Sequence, residues 1–254
     1  MVDPIEAAAR VLTGRGNILV FTGAGISTES GIPDFRGPDG LWTRMDPDDF
    51  TLERYVSNRE IRTASWHMRA AADAMNPRPN DAHRAVTTLW GGGHMVGCVT
   101  QNIDGLHRQA GLPPEALVEL HGNTTDTLCL GCGIRRPTKE IARRVRDGED
   151  DPRCQVCGGI LKVGIILFGE LIPGEELDRA ASMVDAADAV VAVGSTLSVF
   201  PAAGIPLEVI AHGHPLVIVN VGPTDLDEVA TVVVSERAGT ALPRLVAALG
   251  CPVR

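Results

Sequence analysis

Five short apolar runs constrain the fold of this chain more than any other feature of its sequence. Each leads into a turn that contains glycine or asparagine, and they occupy residues 17–21, 95–100, 163–168, 189–193 and 216–219. Because the runs are apolar throughout and do not alternate, they are typical of strands buried on both faces of a parallel sheet. Helical patterns alternate with them over residues 4–12, 81–89, 175–186 and 202–211. The sequence therefore predicts an open α/β sheet that binds ligands at the carboxyl ends of its strands.

Two segments interrupt this alternation. Residues 37–75 have helical patterns rich in arginine and aspartate, and residues 126–162 contain four cysteines and a charged stretch. We interpret both segments as insertions that form a smaller domain, while residues 1–36, 76–125 and 163–254 form the larger one. A chain of 254 residues is long enough for between one and two domains.

The composition is that of an ordinary globular protein, with 44% hydrophobic and 22% charged residues. No apolar stretch of the sequence reaches the ~18 residues needed to cross a bilayer, and the acidic N-terminus lacks the apolar segment of a secretory signal. We therefore expect a cytoplasmic location and no membrane partner. The net charge of −9 argues against a broad nucleic-acid-binding surface and suits basic substrates such as lysine-rich protein tails.

Four of the six cysteines form two Cys-x-x-Cys pairs, Cys129 with Cys132 and Cys154 with Cys157. Residues 133–153 separate the pairs, a spacing of 21 residues that is close to that of zinc ribbons. An iron–sulfur cluster and a redox dithiol are the alternatives to zinc. Four thiolates fill a tetrahedral zinc completely, so we expect a structural metal and not a zinc hydrolase.

The first apolar run leads into a glycine-rich turn, Thr22-Gly23-Ala24-Gly25. Glycines let the backbone approach a pyrophosphate closely, although the third glycine of the usual dinucleotide fingerprint is replaced by Thr28. A tight turn without a ligand remains an equal alternative on these residues alone. Two further turns at strand ends, 194–196 and 220–222, contain small polar residues that could line the same crevice.

Two more segments carry polar residues that could take part in catalysis. Gln101, Asn102 and Asp104 follow the run at residues 95–100, and His121 precedes a glycine just before the first cysteine pair. Histidine is a plausible general base because its ordinary pKa is near neutrality. From spacing alone, a structural role for His121 is an equal alternative.

Together these motifs resemble the sirtuins of bacterial type, the NAD-dependent protein lysine deacylases. The matching stretches occur in the family's order from about residue 17 to residue 244, and they are residues 23–27, 30–37, 100–107 and 120–122, the four cysteines, residues 168–170 and Asn220. The resemblance implies a Rossmann-like parallel-sheet domain and a smaller domain of helices plus a zinc ribbon, with NAD and an acyl-lysine peptide meeting between them.

The resemblance also implies roles for individual residues. His121 would be the general base, and Asn102 would assist catalysis. The cofactor would be bound by Gly23, Ala24, Gly25, Asp34, Phe35, Arg36, Gln101, Asn102, Ile103, Asp104, Gly194, Ser195, Thr196, Asn220, Val221 and Ala238. The substrate would be bound by Ile103, Ile166, Phe168, Gly169 and Glu170. The four cysteines would hold one structural Zn²⁺.

The activity implied is the transfer of an acyl group, most simply acetyl, from protein lysine to NAD-derived ADP-ribose, with release of nicotinamide. The chain departs from the family's usual pattern at Lys162-Val163, where a basic residue followed by proline is frequent. Members that remove acidic acyl groups carry Tyr-x-x-Arg on a helix of the small domain. Here Trp66-x-x-Arg69 lies near that place, so acidic acyl groups are not expected.

Other functions remain open at this stage. Mono-ADP-ribosylation of protein, or removal of longer acyl or lipoyl groups, uses the same NAD chemistry. A hydride-transferring dehydrogenase of the short-chain type needs Tyr-x-x-x-Lys, but Tyr55 is followed at that spacing by Arg59. A zinc-ribbon module for nucleic acid is disfavoured by the net charge and by the scarcity of aromatic residues. The oligomeric state cannot be read from these patterns.

Overall fold

The elements of the fold are described by a computed structural model that covers residues 3–37 and 40–251. Its strands are β1 Ile18–Thr22, β2 Met95–Thr100, β3 Leu117–Glu119, β4 Gly122–Cys129, β5 Arg135–Pro137, β6 Leu161–Ile165, β7 Ala189–Val193, β8 Leu216–Val219 and β9 Val232–Val234. Its α-helices are α1 Pro4–Leu12, α2 Leu52–Ser57, α3 Arg59–Met75, α4 Asp81–Gly91, α5 Leu106–Gln109, α6 Thr138–Arg146, α7 Gly174–Ala186, α8 Gly204–Ala211 and α9 Ala238–Ala248. Short 3₁₀ helices lie at Ala24–Ser30, Leu41–Thr43, Pro47–Phe50, Pro114–Ala116 and Asp227–Val229.

Six strands form one parallel sheet in the order β3-β2-β1-β7-β8-β9. The predicted runs at residues 95–100, 189–193 and 216–219 are strands with those bounds, and the first run is shifted by one residue. Helices α1, α4 and α9 pack on one face of the sheet, and α7 and α8 pack on the other. Every residue of β1, β7 and β8 is consequently buried, as their continuous apolar character predicts.

The carboxyl ends of four neighbouring strands are level with one another. Thr22 pairs with Thr100 on one side and with Val193 on the other, and Val193 pairs with Val219. The turns that follow these residues therefore leave the sheet at the same edge. This register is what brings distant motifs of the sequence together.

The run at residues 163–168, predicted as a fifth strand of the parallel sheet, is not part of it, and that prediction was wrong. Strand β6 begins at Leu161 and pairs antiparallel with β4 in a separate sheet of order β5-β4-β6, the small sheet. An apolar run indicates burial but does not identify the partner strand. Leu161 and Val163 are buried against helices α3 and α6 and not against the large sheet.

Helices α3 and α6 cover the small sheet and share its core. Trp66 of α3 packs with Ile141 and Val145 of α6 and with β6. The side chain of Asn58 caps α3 by accepting hydrogen bonds from the first backbone N–H groups of the helix. These contacts hold α3 as a fixed wall beside the carboxyl edge of the large sheet.

The predicted helices are confirmed with small shifts at their ends, which are the least certain part of such predictions. The helix at residues 4–12 has the predicted bounds, α4 extends to Gly91, and α8 begins two residues later than predicted. The segment predicted as a helical insertion contains α2, α3 and the 3₁₀ helices Leu41–Thr43 and Pro47–Phe50, and its residues 38–39 lie outside the described residues. Within residues 3–37 and 40–251, no helix combines the length and the apolar character that a membrane crossing requires.

Candidate active site

A cavity of about 2000 Å³ lies where the carboxyl edge of the large sheet faces α3 and the segment after β6. It brings together all the residues that the sequence analysis assigned to the cofactor, the substrate and the base. They are Gly23, Ala24, Gly25, Asp34, Phe35, Arg36, Gln101, Asn102, Ile103, Asp104, His121, Ile166, Phe168, Gly169, Glu170, Gly194, Ser195, Thr196, Asn220, Val221 and Ala238. Residues separated by up to two hundred positions thus share one surface.

The glycine-rich turn after β1 touches the turn after β7. Gly23 N donates to Val193 O at 2.9 Å, and Gly25 N donates to Gly194 O at 2.8 Å. A Cβ on Gly25 would lie 2.7 Å from Gly194 Cα, so packing between the two turns already requires glycine there. The backbone of these glycines also lines the cavity. Because it has no side chains, a pyrophosphate could approach it closely. The turn continues into the 3₁₀ helix Ala24–Ser30.

The amide of Asn102 is held in a single orientation. Its Nδ2 donates to Gly23 O at 3.0 Å and to Ser27 Oγ at 3.3 Å. Ser27 Oγ in turn donates to the carboxylate of Asp104 at 2.7 Å, and burial raises the pKa of that carboxyl against the opposing effect of its hydrogen bonds. Gln101 Nε2 donates to Ser195 Oγ at 2.9 Å and ties the turns after β2 and β7 together. The polar groups on this side of the cavity are therefore pre-oriented.

His121 lies in the two-residue turn between β3 and β4 and lines the cavity, and one of its ring nitrogens makes a hydrogen bond. Its Nδ1 is 3.1 Å from the carbonyl oxygen of Gln101, so Nδ1 carries the proton and donates it. Nε2 is then the basic nitrogen of the neutral ring. Burial lowers the pKa of His121 below its ordinary value of 6.5, although the bond to Gln101 opposes the shift. An imidazole held neutral in this tautomer can act as a general base.

The segment after β6 forms the wall beside His121. Ile166 N donates to His121 O at 2.8 Å. Phe168 forms a bridge with Thr51 at the start of α2, and its side chain is half exposed. Gly169 has a φ of 87°, in the left-handed region that favours glycine. The carboxylate of Glu170 turns away from solvent toward Lys162, at 2.9 Å.

Sequence reasoning missed a buried polar network behind the cavity. His107 Nε2 lies 2.9 Å from Thr22 Oγ1, and His83 Nε2 lies 3.5 Å from Ser27 Oγ. Burial lowers the pKa of His83 to about 4 and that of His107 to about 3, so both rings are neutral at physiological pH. The motifs that contain Ser27 and His107 were recognised, but no sequence pattern shows which of their side chains point inward.

Arg69 of α3 is a second residue that sequence reasoning did not place in the site. It lines the cavity, and its buried Nε has no hydrogen-bond partner among the described residues. Burial lowers the pKa of Arg69, but a guanidinium remains protonated under any ordinary condition. A buried donor of a charged group that has no partner is costly, so this atom marks a place where an anionic group would be stabilised.

The four cysteines predicted to bind metal converge at the edge of the small sheet. Their sulfur atoms all lie within 4.8 Å of one another, with 3.5 Å between Cys129 and Cys157 and 3.8 Å between Cys132 and Cys154. A tetrahedron with Zn–S bonds of about 2.3 Å has sulfur–sulfur edges of about 3.8 Å. The four thiols therefore fit one zinc ion and leave no coordination position for substrate.

Comparisons with known proteins identify close relatives. A family model described as the Sir2 family matches residues 23–201. A Streptomyces coelicolor protein named NAD-dependent protein deacetylase 2 is 46% identical over 94% of this chain and 100% of its own length. A solved structure from work on the mechanism and regulation of Sir2 enzymes has a TM-score of 0.89 at 37% identity, covering 98% of this chain and 99% of that one. A Sir2 structure with a p53 peptide and NAD⁺ has a TM-score of 0.84 at 32% identity, covering 96% and 97%.

Proposed function

The chain belongs to the Sir2 family, and we propose that it removes acyl groups, chiefly acetyl, from lysine side chains of proteins with NAD as its co-substrate. The products are free lysine, nicotinamide and O-acyl-ADP-ribose. One observation carries the assignment of residues. His121, held as a neutral base by Gln101 O, shares a cavity with the glycine-rich turn and with the fixed amide of Asn102.

When bound, NAD supplies an electrophilic ribose carbon from which nicotinamide can leave. The glycine-rich turn at residues 23–25 would approach the phosphates, and Ala24 and residues 34–36 would lie on the loop over the cofactor. The adenosine side would be held by residues 194–196, Asn220, Val221 and Ala238. Asn102 and Asp104 orient the ribose and nicotinamide side, because Ser27 fixes both side chains. Such pre-oriented dipoles stabilise charge that develops during the reaction without a cost of reorganisation.

His121 Nε2 accepts a proton from a ribose hydroxyl during acyl transfer. The Gln101 carbonyl keeps Nδ1 protonated and therefore keeps Nε2 available. Ile103, Ile166 and Phe168 supply apolar walls for a neutral acyl-lysine chain. Those walls exclude water that would otherwise hydrolyse NAD.

The zinc is structural in this proposal. Cys129, Cys132, Cys154 and Cys157 hold it in the module that also contains α3 and α6, and no chemical step passes through the metal. We propose residues 37–75 and 126–162 as the small domain, on the basis of the separate core around Trp66. Residues 1–2, 38–39 and 252–254 of the proposed domains lie outside the described chain. A cytoplasmic location and the absence of a specific nucleic-acid partner complete the proposal.

Replacement of the base tests the assignment. His121→Ala should lower deacetylation of an acetyl-lysine peptide by about 10²- to 10⁴-fold, the usual contribution of general-base catalysis. Release of nicotinamide and of free lysine is measured by chromatography, and the melting temperature confirms folding. His94→Ala, at a histidine outside the cavity, is the matched control. A folded His121→Ala protein with full activity would refute the role of this residue.

Arg69 favours a second candidate substrate, an acyl-lysine that ends in a carboxylate. Acidic acyl groups were not expected from the sequence, since Trp66-x-x-Arg69 and not Tyr-x-x-Arg lies near the place of the family's pair. The unpartnered buried Nε of Arg69 nevertheless offers a charge-assisted partner for a carboxylate within the same cavity.

A comparison of acetyl and succinyl peptides tests this candidate. Arg69→Met should lower kcat/KM for the succinyl peptide by about tenfold or more, since a hydrogen bond to a charged group contributes about 1.5–3 kcal/mol. The acetyl peptide should be little affected. Arg59→Met, on the exposed side of the same helix, is the control. Equal losses with both peptides would rule out a carboxylate-binding role for Arg69.

A further inference from the structure

A buried ion pair, Lys162 with Glu170, connects strand β6 to the end of the segment that forms the substrate wall. Lys162 Nζ lies 2.9 Å from Glu170 Oε2, and the two side chains are only 5% and 18% exposed. Lys162 belongs to β6, whereas Glu170 ends the wall segment at residues 166–170. The pair therefore joins the two ends of a loop of nine residues, numbered 162–170.

The three donors of the Lys162 ammonium are all used within this loop. Besides Glu170, Nζ donates to Val163 O at 3.3 Å and to Ile165 O. Glu170 Oε2 also accepts from Leu167 N at 2.8 Å. The charges are thus fully paired, and their hydrogen bonds fix the backbone on both sides of Ile166. Removing one partner of such a buried pair leaves the other charge uncompensated.

The wall segment, residues 166–170, forms backbone hydrogen bonds with His121 on one side of the cavity and with residues 50 and 52 on the other. Ile166 N donates to His121 O at 2.8 Å, and Phe168 N donates to Phe50 O at 3.0 Å. Leu52 N donates to Phe168 O at 3.0 Å. Any shift of residues 166–168 would therefore change the distance between His121 and the apolar wall. The glycine-rich turn has no part in these bonds.

We infer that Lys162 and Glu170 are positioning residues, which hold residues 166–169 in the conformation that shapes the acyl-lysine wall. The sequence analysis placed Glu170 among the residues that bind substrate, and here its carboxylate acts through Lys162 and Leu167 N. The inference rests on the proposed function, because its test uses deacetylation.

Steady-state kinetics with a varied acetyl-lysine peptide and with varied NAD test the inference. Lys162→Met should raise the KM for peptide by about 10- to 100-fold, the usual result of a displacement near 1 Å. The KM for NAD should stay within about twofold, because the glycine-rich turn is unaffected. Glu170→Ala should behave in the same way, and the double variant should be no worse than either single one. Glu170→Gln should raise the KM for peptide less than Glu170→Ala does, since its amide oxygen can still accept from Lys162 and Leu167 N although the charge of Lys162 is then uncompensated.

Arg179→Met is the matched control. Arg179 also donates to two backbone carbonyls, Pro114 O and Leu117 O, and pairs with Glu176, but it does not line the cavity. This variant should lower the melting temperature without changing the KM for peptide. If Lys162→Met does not fold, the KM for peptide of Glu170→Gln is compared with that of Glu170→Ala. A larger rise in Glu170→Ala supports the positioning role, and equal values contradict it.

Two outcomes overturn the inference. One is an unchanged KM for peptide in folded Lys162→Met or Glu170→Ala protein, and the other is an equal rise in both KM values. A wild-type protein that does not deacetylate the peptide at all refutes the proposed function instead. Turnover by the wild type with normal kinetics in the variants refutes only the positioning role.

Discussion

At the scale of single residues, the proposed chemistry depends on His121, which is kept neutral by its surroundings. Burial lowers the pKa of His121, and the carbonyl of Gln101 selects the tautomer whose Nε2 is basic. Neither effect requires a carboxylate partner. The residue is therefore suited to accept a proton at neutral pH without first losing one.

This environment predicts the acid limb of the pH–rate profile. Because the pKa of His121 is lowered, the ring stays neutral down to a pH below 6.5 and loses activity as pH falls through its own pKa. The midpoint of the acid limb of kcat/KM should therefore lie below 6.5. Initial rates from about pH 5 to about pH 8, the range in which histidine titrates, measure it. A midpoint above 6.5 would contradict the proposed environment.

Individual residues were predictable where a motif and a chemical role coincide. The four cysteines were predicted from their spacing, which indicates a metal site. His121 and Asn102 received their catalytic roles from the family resemblance, and those roles are proposals. Ser27 and Arg69 were not assigned. The importance of Ser27 comes from the hydrogen bonds that it makes where it is buried, and that of Arg69 from a buried Nε that has no hydrogen-bond partner among the described residues. Those properties depend on packing between segments that are distant in sequence, which residue spacing does not show.

At the scale of elements, the zinc module holds one wall of the cavity in place. The four sulfur atoms join the turn after β4 to the turn before β6, and Trp66 of α3 packs on the same core. The small sheet has three strands and limited apolar area, so metal binding contributes directly to its folding. Loss of zinc should therefore act on stability first and on activity through α3.

Removal of one ligand tests this dependence. Cys154→Ser should lose zinc and lower the melting temperature of the module, as followed by metal analysis and calorimetry, since structural zinc binding is worth about 10 kcal/mol or more. Cys251→Ser, at a buried thiol outside the cluster, is the matched control and should retain the metal. A metal-free Cys154→Ser protein with unchanged stability and activity would show that the metal is dispensable.

Elements were predictable where hydrophobic pattern and neighbours agree. The runs at residues 95–100, 189–193 and 216–219 are central strands, flanked on both sides and buried on both faces. The run at residues 163–168 was assigned to the wrong sheet, because apolar character is the same in β6 as in a central parallel strand. The short strand β3 leads to His121, but its three residues are too few to show a hydrophobic pattern in the sequence.

At the scale of the whole molecule, the proposed site is lined both by the turns of the large sheet and by residues near the small sheet. The large sheet contributes the turns after four level strands, and the small module contributes α3 and the segment after β6. The net charge of −9 suits the approach of lysine-rich protein tails. In the proposed function, a dinucleotide and a modified lysine would lie on either side of the imidazole of His121.

In the proposed reaction, NAD is consumed as an acyl acceptor. Mass spectrometry of the nucleotide formed from NAD and a panel of acetyl-, longer-acyl, lipoyl- and succinyl-lysine peptides tests it most directly. We predict O-acyl-ADP-ribose in amounts equal to the nicotinamide and free lysine released. ADP-ribose attached to protein, reduced NADH, or NAD left intact with every peptide would contradict the account.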